Sequence, residues 1–163
     1  MNSIDLPQEC VQVGIGQWKV VPAPVGLKSI LGSCVGVAIY DRVGKIGGVA
    51  HILLPNSRGS KEMPGRFADT AVPLMVEEFC RLRGPAVKSS LVARLAGGAK
   101  MFETKGGVPI GEVNHRAVLE ILELLKIPVL AKDIGGEQGR NMTFDTRSGR
   151  LFVKKTGGQL YEV

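Results

Sequence analysis

The stretch Leu31-Gly32-Ser33-Cys34-Val35-Gly36-Val37-Ala38-Ile39-Tyr40-Asp41 decides how this chain folds, read together with the apolar run Ile46–Leu54 and its His51. From Val35 to Tyr40 the sequence is nearly unbroken apolar, the pattern of a strand buried on both faces. Asp41-Arg42-Val43-Gly44 is a turn signal. Ile46–Leu54 then reads as the returning antiparallel strand. Cys34 and His51 are seventeen residues apart in the chain, and such a hairpin brings them into one neighbourhood.

A thiol beside an imidazole is a nucleophile–base pair, in which the imidazole lowers the thiol pKa and stabilises the thiolate. A Cys in an apolar strand is more often a small core residue, and a lone His is more often structural. Two details favour chemistry. Gly32 and Ser33 leave the backbone before Cys34 unshielded, so the Ser33 and Cys34 N–H groups are candidate oxyanion donors. His51 ends the apolar run Ile46–Ala50 and precedes Pro55, which reads as a strand-edge position. The expectation is that Cys34 attacks a carbonyl carbon and His51 is the base.

Working outward, Val11–Gln17 alternates apolar with small or polar residues, which predicts a half-buried strand. Trp18–Val21 extends it or pairs with it, and Val25–Leu31 leads into the Cys34 motif. Asn56–Arg66 is a polar loop, either a flap over the site or a plain connection, and its Arg58, Lys61 and Arg66 suit an acidic substrate. Helical spacing of Ala68, Ala71, Val72, Met75, Phe79 and Leu82 predicts a first helix over about 68–82, with Asp69 as a possible cap. Leu91–Ala96 reads as a strand ending in Gly97-Gly98, which lacks the pattern of a phosphate loop. A second helix is expected with Asn114 as N-cap and Ala117, Val118, Ile121, Leu122 and Leu125 as its apolar face. His115 is a poor second candidate for the base. Pro128–Asp133 reads as a strand, and Asn141–Asp145 with Leu151–Lys155 as a hairpin.

At 163 residues, 44% of them hydrophobic, the chain is read as one domain over 1–163 with loose tails at 1–9 and 157–163. Its 22 glycines suit tight turns and much β-structure. The formal net charge is +6, but the basic residues form no run and aromatic residues are few, which argues against nucleic acid. Three cysteines without paired spacing are no disulfide framework. Two His and three Cys at these spacings match no zinc site, so neither metal nor cofactor is expected. The N-terminus does not read as a signal peptide, and no apolar run is long enough to span a membrane. The expected location is the cytoplasm, where a free thiol stays reduced.

Leu-Gly-Ser-Cys-Val at 31–35, His-x-x-Leu-Pro at 51–55 and Phe-Ala-Asp-Thr-Ala at 67–71 resemble the chemoreceptor glutamine deamidase family, CheD. So do Gly-Gly-Ala-Lys-Met-Phe at 97–102, Ile-Gly at 110–111 with Asn114, and Asp133 through Arg140. The matches run in order over roughly residues 12–156. The resemblance implies a layered fold of the α/β (α+β) class, a mixed β-sandwich with two main helices packed outside, thiol-hydrolase-like. It implies that Cys34 is the nucleophile and His51 the base. One position departs from the family pattern: the third catalytic residue is usually a Thr six positions before the Cys, and here that position is Lys28, with Ser29 next to it. Three readings stay open: Ser29 takes the orienting role through a local shift, another group holds the His, or activity is weak.

The activity the resemblance implies is hydrolysis of Gln side chains to Glu on the cytoplasmic helices of methyl-accepting chemoreceptors, through a thioester, with glutamyl methyl ester hydrolysis by the same machinery. It also implies binding to CheC, a CheY-phosphate phosphatase. Arg66, Phe67, Met101 and Phe102 are the candidate substrate- or partner-binding residues. The alternative is a binding module that regulates the phosphatase with weak or no catalysis.

Overall fold

The computed structural model describes residues 3–103 and 105–163. Strands β1 (Cys10–Gln12), β2 (Trp18–Pro22), β3 (Gly26–Leu31), β4 (Val35–Asp41) and β5 (Ile46–Ile52) precede helix α1 (Ala68–Arg83). Then follow β6 (Leu91–Gly97), helix α2 (Ile110–Leu124), β7 (Val129–Ile134), β8 (Arg140–Asp145), β9 (Arg150–Lys155) and β10 (Leu160–Glu162). Short 3-10 turns lie at Pro64–Arg66 and Pro85–Ser90. The strands form two five-stranded sheets, in the orders β1-β3-β8-β9-β10 and β2-β5-β4-β6-β7. Both are mixed: β1 runs parallel to β3 and β6 to β7, and the other pairs are antiparallel.

The two faces of β4 show how the layers stack. Val35, Val37 and Ile39 join a core made with Ala71, Val72, Met75 and Phe79 of α1 and Val118 and Leu122 of α2. Ala38 and Tyr40 face the other way, into a core shared with Leu27, Leu31, Met142, Phe144, Leu151 and Val153 of the first sheet. The result is sheet on sheet with both helices on one outer side, the mixed sandwich that the family resemblance implies. β4 is buried along its whole length, as its nearly unbroken apolar run Val35–Tyr40 demands; the terminal Asp41 is buried too. Fully burying each of these large side chains stabilises the fold by about 1.5–3 kcal/mol. The inner face of the second sheet is thinned by glycine to admit the bulk of the first. A Cβ on Gly36 would lie 2.2 Å from the Met142 sulfur, and one on Gly47 would lie 2.8 Å from the Phe144 ring.

Several boundaries differ from those expected. The strand expected over Val11–Gln17 is only Cys10–Gln12; beyond it the chain leaves the sheet to wrap β5. The terminal segment after Gly157 is not loose, because β10 pairs antiparallel with β9. Leu82 is exposed rather than part of the α1 core face, and Val76 is buried in its stead. Asp69 does not cap α1: its carboxylate accepts from the Ser57 N–H and hydroxyl at 2.9 and 2.8 Å, tying the 56–66 loop to the helix. Asn114 is no N-cap either. α2 starts four residues earlier, at Ile110, behind Pro109, whose fixed φ suits a helix entry.

Candidate active site

β4 and β5 pair antiparallel with Gly36 opposite His51. Cys34 lies two residues before Gly36, just ahead of β4, and packs in the inter-sheet core. His51 alternates with Ala50 and Ile52, which face the helices, so its ring faces the other sheet. Thiol and imidazole are therefore diagonal neighbours on one sheet face. Both are buried, Cys34 at 7% exposure and His51 at 2%.

The imidazole is held from the opposite sheet. In β3 residues alternate, with Leu27, Ser29 and Leu31 buried and Lys28 and Ile30 exposed. Ser29 therefore faces His51 by ordinary strand alternation, with no local shift, and Lys28 points to solvent. The Ser29 hydroxyl donates to the Val13 carbonyl at 2.5 Å and lies 2.8 Å from His51 Nδ1. A hydroxyl has one proton to give. With that proton on Val13, the Ser29 oxygen can only accept, so Nδ1 carries the ring proton and donates to Ser29, with the Val13 oxygen also within 3.2 Å. Nε2 is then the basic nitrogen. It is buried and has no partner among the described residues. The His51 backbone is enclosed by the same wrapping segment: Gly16 N–H donates to its carbonyl at 3.0 Å and its N–H to Gln17 O at 2.9 Å.

The Cys34 loop is held from the helix side. Ala99 N–H donates to Gly32 O at 3.0 Å, and Gly98 N–H to Cys34 O at 2.8 Å. Asn114, fully buried in α2, donates through Nδ2 to Ser33 O at 3.2 Å and to Leu53 O at 3.0 Å. Three successive carbonyls are thus occupied. Among the described residues the Ser33 and Cys34 N–H groups donate to no backbone carbonyl. Gly97 is required here: its φ is +106°, and a Cβ would lie 2.2 Å from Cys34 O. Helix α2 comes this close because Gly111 has no side chain; a Cβ there would lie 2.5 Å from Gly98 O.

Burial sets the resting protonation. It pushes the Cys34 thiol up from its ordinary value, against a smaller lowering by the residue's own N–H. It pushes the His51 imidazole down, against a smaller lift from the Val13 carbonyl. Both shifts favour neutral thiol and neutral imidazole, in contrast to the thiolate expected of a thiol placed beside an imidazole.

The other candidate residues frame this site. Met101 lies against Gly32 and is 43% exposed, while Phe102 next to it is 82% exposed. A recess of about 80 Å³ beside Ser33 is bounded by Met101, Phe102 and Ile110. On the His51 side, the Arg66 carbonyl accepts from Leu53 and Leu54 N–H, both at 2.9 Å, and Phe67 bridges to Leu54. His115, on α2, makes no hydrogen bond through Nδ1 among the described residues and has Lys132, Glu112 and Arg116 as charged neighbours. The residues that sequence reasoning missed are Val13, which acts through its carbonyl, and Asn114 as a loop clamp. A backbone carbonyl leaves no mark in side-chain chemistry. The signal for Asn114 was a polar residue in phase with Val118 and Leu122 on the apolar face of α2.

No helix of the described residues is long and apolar enough to cross a membrane. A family model described as CheD chemotactic sensory transduction matches residues 53–155, a span that begins two residues after His51. A probable chemoreceptor glutamine deamidase CheD of Desulforamulus reducens is 45% identical over 156 residues, 92% of this chain and 93% of that protein. The chemoreceptor glutamine deamidase CheD of Thermotoga maritima is 43% identical over 147 residues, 90% of this chain and 92% of that one. Among solved structures, a hypothetical protein YfiH of Bacillus licheniformis is similar with TM-score 0.45 and 16% identity, over 71% of this chain and 49% of that one.

Proposed function

This chain belongs to the CheD family, and from that premise we propose that it deamidates chemoreceptor glutamines through a Cys34 thioester, with His51 as base and Ser29 as its orienting partner. The observation that carries the site assignment is the Ser29–Val13 hydrogen-bond pair, which leaves His51 Nε2 as a buried base on the face that Cys34 shares.

Nε2 takes the Cys34 proton as the sulfur attacks the amide carbon of a substrate Gln. The carbonyl electrons move to oxygen, and the Ser33 and Cys34 N–H groups receive the charge, a contribution of about 2.7–4 kcal/mol per donor where such donors have been removed. The imidazolium returns its proton to the departing ammonia. His51, neutral again, takes a proton from water as the water attacks the thioester; the C–S bond then breaks, the imidazolium returns that proton to the Cys34 sulfur, and the side chain leaves as Glu. A glutamyl methyl ester follows the same course with methanol as leaving group. Because the pair rests neutral, proton transfer and attack accompany substrate binding, and the buried thiol is shielded from adventitious oxidants.

The exposed Met101–Phe102 loop on the Cys34 side and Arg66–Phe67 on the His51 side are the surfaces we assign to the receptor helix and to a CheC-type phosphatase partner. Use of one surface by both would make them compete. The expected location is cytoplasmic, where receptor helices and phosphatase meet.

The test is mass spectrometry of Gln-bearing receptor cytoplasmic fragments incubated with this protein and with Cys34→Ala. Conversion of Gln to Glu by the unaltered protein alone supports the mechanism. Equal conversion by both removes Cys34 as nucleophile.

A further inference from the structure

Among the buried polar groups, Asn114 is tied to the site through two hydrogen bonds, neither of them to Cys34 Sγ or His51. Its side chain is completely buried in α2. One nitrogen, Nδ2, donates to Ser33 O at 3.2 Å and to Leu53 O at 3.0 Å. The first carbonyl belongs to the Cys34 loop; the second lies two residues beyond His51. Its Oδ1 is buried without a partner among the described residues, a standing cost that a purely structural packing residue would avoid.

The peptide unit supplies the link to chemistry. A trans peptide is planar, so its C=O and the N–H of the following residue point in opposite directions. Fixing Ser33 O against Asn114 therefore fixes the direction of the Cys34 N–H. Rotating that one plate would turn a carbonyl toward the developing oxyanion in place of a donor. Ala99 N–H fixes the preceding plate in the same way through Gly32 O, but backbone cannot reach Ser33 O from α2, and a side chain does. The role needs two protons on one planar atom. Asp has no donor at neutral pH, and Ser has only one.

We infer that Asn114 is a positioning residue that holds the Ser33–Cys34 peptide with its N–H toward the reacting carbonyl, and ties that plate to the segment carrying His51. The inference rests on the assignment of Cys34 as nucleophile made above. It predicts a separation between two reactions of the same thiol. Alkylation by iodoacetamide is displacement at carbon and forms no oxyanion, so it depends on thiol deprotonation alone. Deamidation requires the oxyanion donors.

Asn114→Leu, close in size and without donors, is expected to lower kcat for receptor-fragment deamidation about 100-fold, the lower end for loss of one oxyanion donor. KM and the rate and pH profile of Cys34 alkylation should stay within about twofold, since neither depends on the oxyanion donors. An unchanged kcat overturns the inference, and so does a parallel fall in alkylation, which would mean that the loop has simply moved. Failure of the unaltered protein to convert Gln counts against the proposed function instead. A second measurement uses the unaltered protein, so it holds whether or not the variant folds. A receptor peptide carrying glutamate semialdehyde at the target position adds the Cys34 sulfur to its aldehyde carbon, placing the oxygen in the oxyanion position. On formation of that adduct, followed by mass, the Cys34 amide proton should move downfield while the Asn114 Nδ2 protons stay protected from exchange. An unshifted Cys34 amide in the adduct, or freely exchanging Asn114 protons, overturns the inference.

Discussion

The two ends of the β4–β5 hairpin bury ionisable groups in opposite ways. At the turn end, Asp41 is fully buried and well partnered. It accepts from Val43 N–H at 3.1 Å, the Ser90 hydroxyl at 2.9 Å and Arg83 at 3.2 Å. Burial alone would raise its carboxyl, but these bonds with that from Gly44 N–H outweigh it and hold the group below its usual range. At the other end, Cys34 and His51 are buried with too few partners, and burial wins: the thiol is driven up and the imidazole down. One end spends its hydrogen bonds on the charged form and is stable. The other keeps both groups neutral and leaves Nε2 free, a state poised for proton transfer.

The contrast breaks most visibly at Cys34. Cys34→Ala should abolish deamidation, a loss of about 10⁴-fold or more as for removal of a nucleophile elsewhere. It should change stability by about 1 kcal/mol or less, because the change removes one sulfur atom and, among the described residues, no hydrogen bond to another residue. Mass spectrometry of the receptor fragment and a denaturant melt check the two halves. At the turn end the opposite holds. Asp41→Asn should cost about 2–3 kcal/mol in the same melt, through weakened bonds to a buried group, and leave the kcat of the folded protein unchanged. The pH dependence carries the same signature. Asp41 has a depressed folded pKa, so its contribution is complete above the unfolded value of about 3.9 and is lost as pH falls through the folded one. The Asn variant should lack that part of the acid sensitivity.

Much of this contrast was legible in the sequence. The apolar run at Val35–Tyr40 and the turn at Asp41–Gly44 give the hairpin, and the hairpin gives the thiol–imidazole neighbourhood; the strand-edge reading of His51 does not hold, because β5 lies between β2 and β4 and buries the ring. The alternation of Leu27, Ser29 and Leu31 also holds the orientation of Ser29, but only once β3 is known to face His51 from the other sheet. The place of β3 in that sheet depends on its pairing with β8 some 110 residues away, which is long-range and has no local signal. The Val13 contact to Ser29 and His51 and the clamp on the Cys34 loop were hidden for a related reason: Val13, Gly98 and Ala99 act through backbone groups that every residue type carries. Asn114 was misread as a cap because the helix-start preference of Asn competes with its phase on the buried face, and the true start at Pro109 carries its own signal. The tail was misread because β10 is too short to show a period.

A smaller effect sharpens the His51 end. Ser29→Ala removes the acceptor for Nδ1–H and leaves only the Val13 carbonyl at 3.2 Å. Loss of a hydrogen bond to a group that becomes charged, worth about 1.5–3 kcal/mol, corresponds to roughly a tenfold to hundredfold fall in kcat/KM. The sign of the pH effect follows from the shift. His51 already sits below the ordinary imidazole value of about 6.5, so the acid limb of the unaltered protein's rate profile should fall below that pH. Without Ser29 the imidazolium has one acceptor fewer, so the limb should move further toward acid. A limb that stays in place while the rate falls would mean that Ser29 orients the ring without stabilising its charged form.

The smallest effect is expected one residue away. Lys28 occupies the position where the family pattern has Thr, yet its side chain points to solvent on the outer face of β3. Lys28→Thr should therefore leave deamidation within about twofold and stability within about 0.5 kcal/mol, as for exposed positions generally. A tenfold gain in kcat/KM would require residue 28 to reach His51, and alternation makes that demand costly. Sliding β3 by one residue turns every side chain over. Leu27 and Leu31 would leave the core for water, and Lys28 and Ile30 would be driven between the sheets. The register Leu27–Phe144 through Leu31–Arg140 would be lost with them. Ser29 can stand in for the family Thr because the strand presents it inward without any of these changes, and a flat response to Lys28→Thr is what that substitution of roles demands.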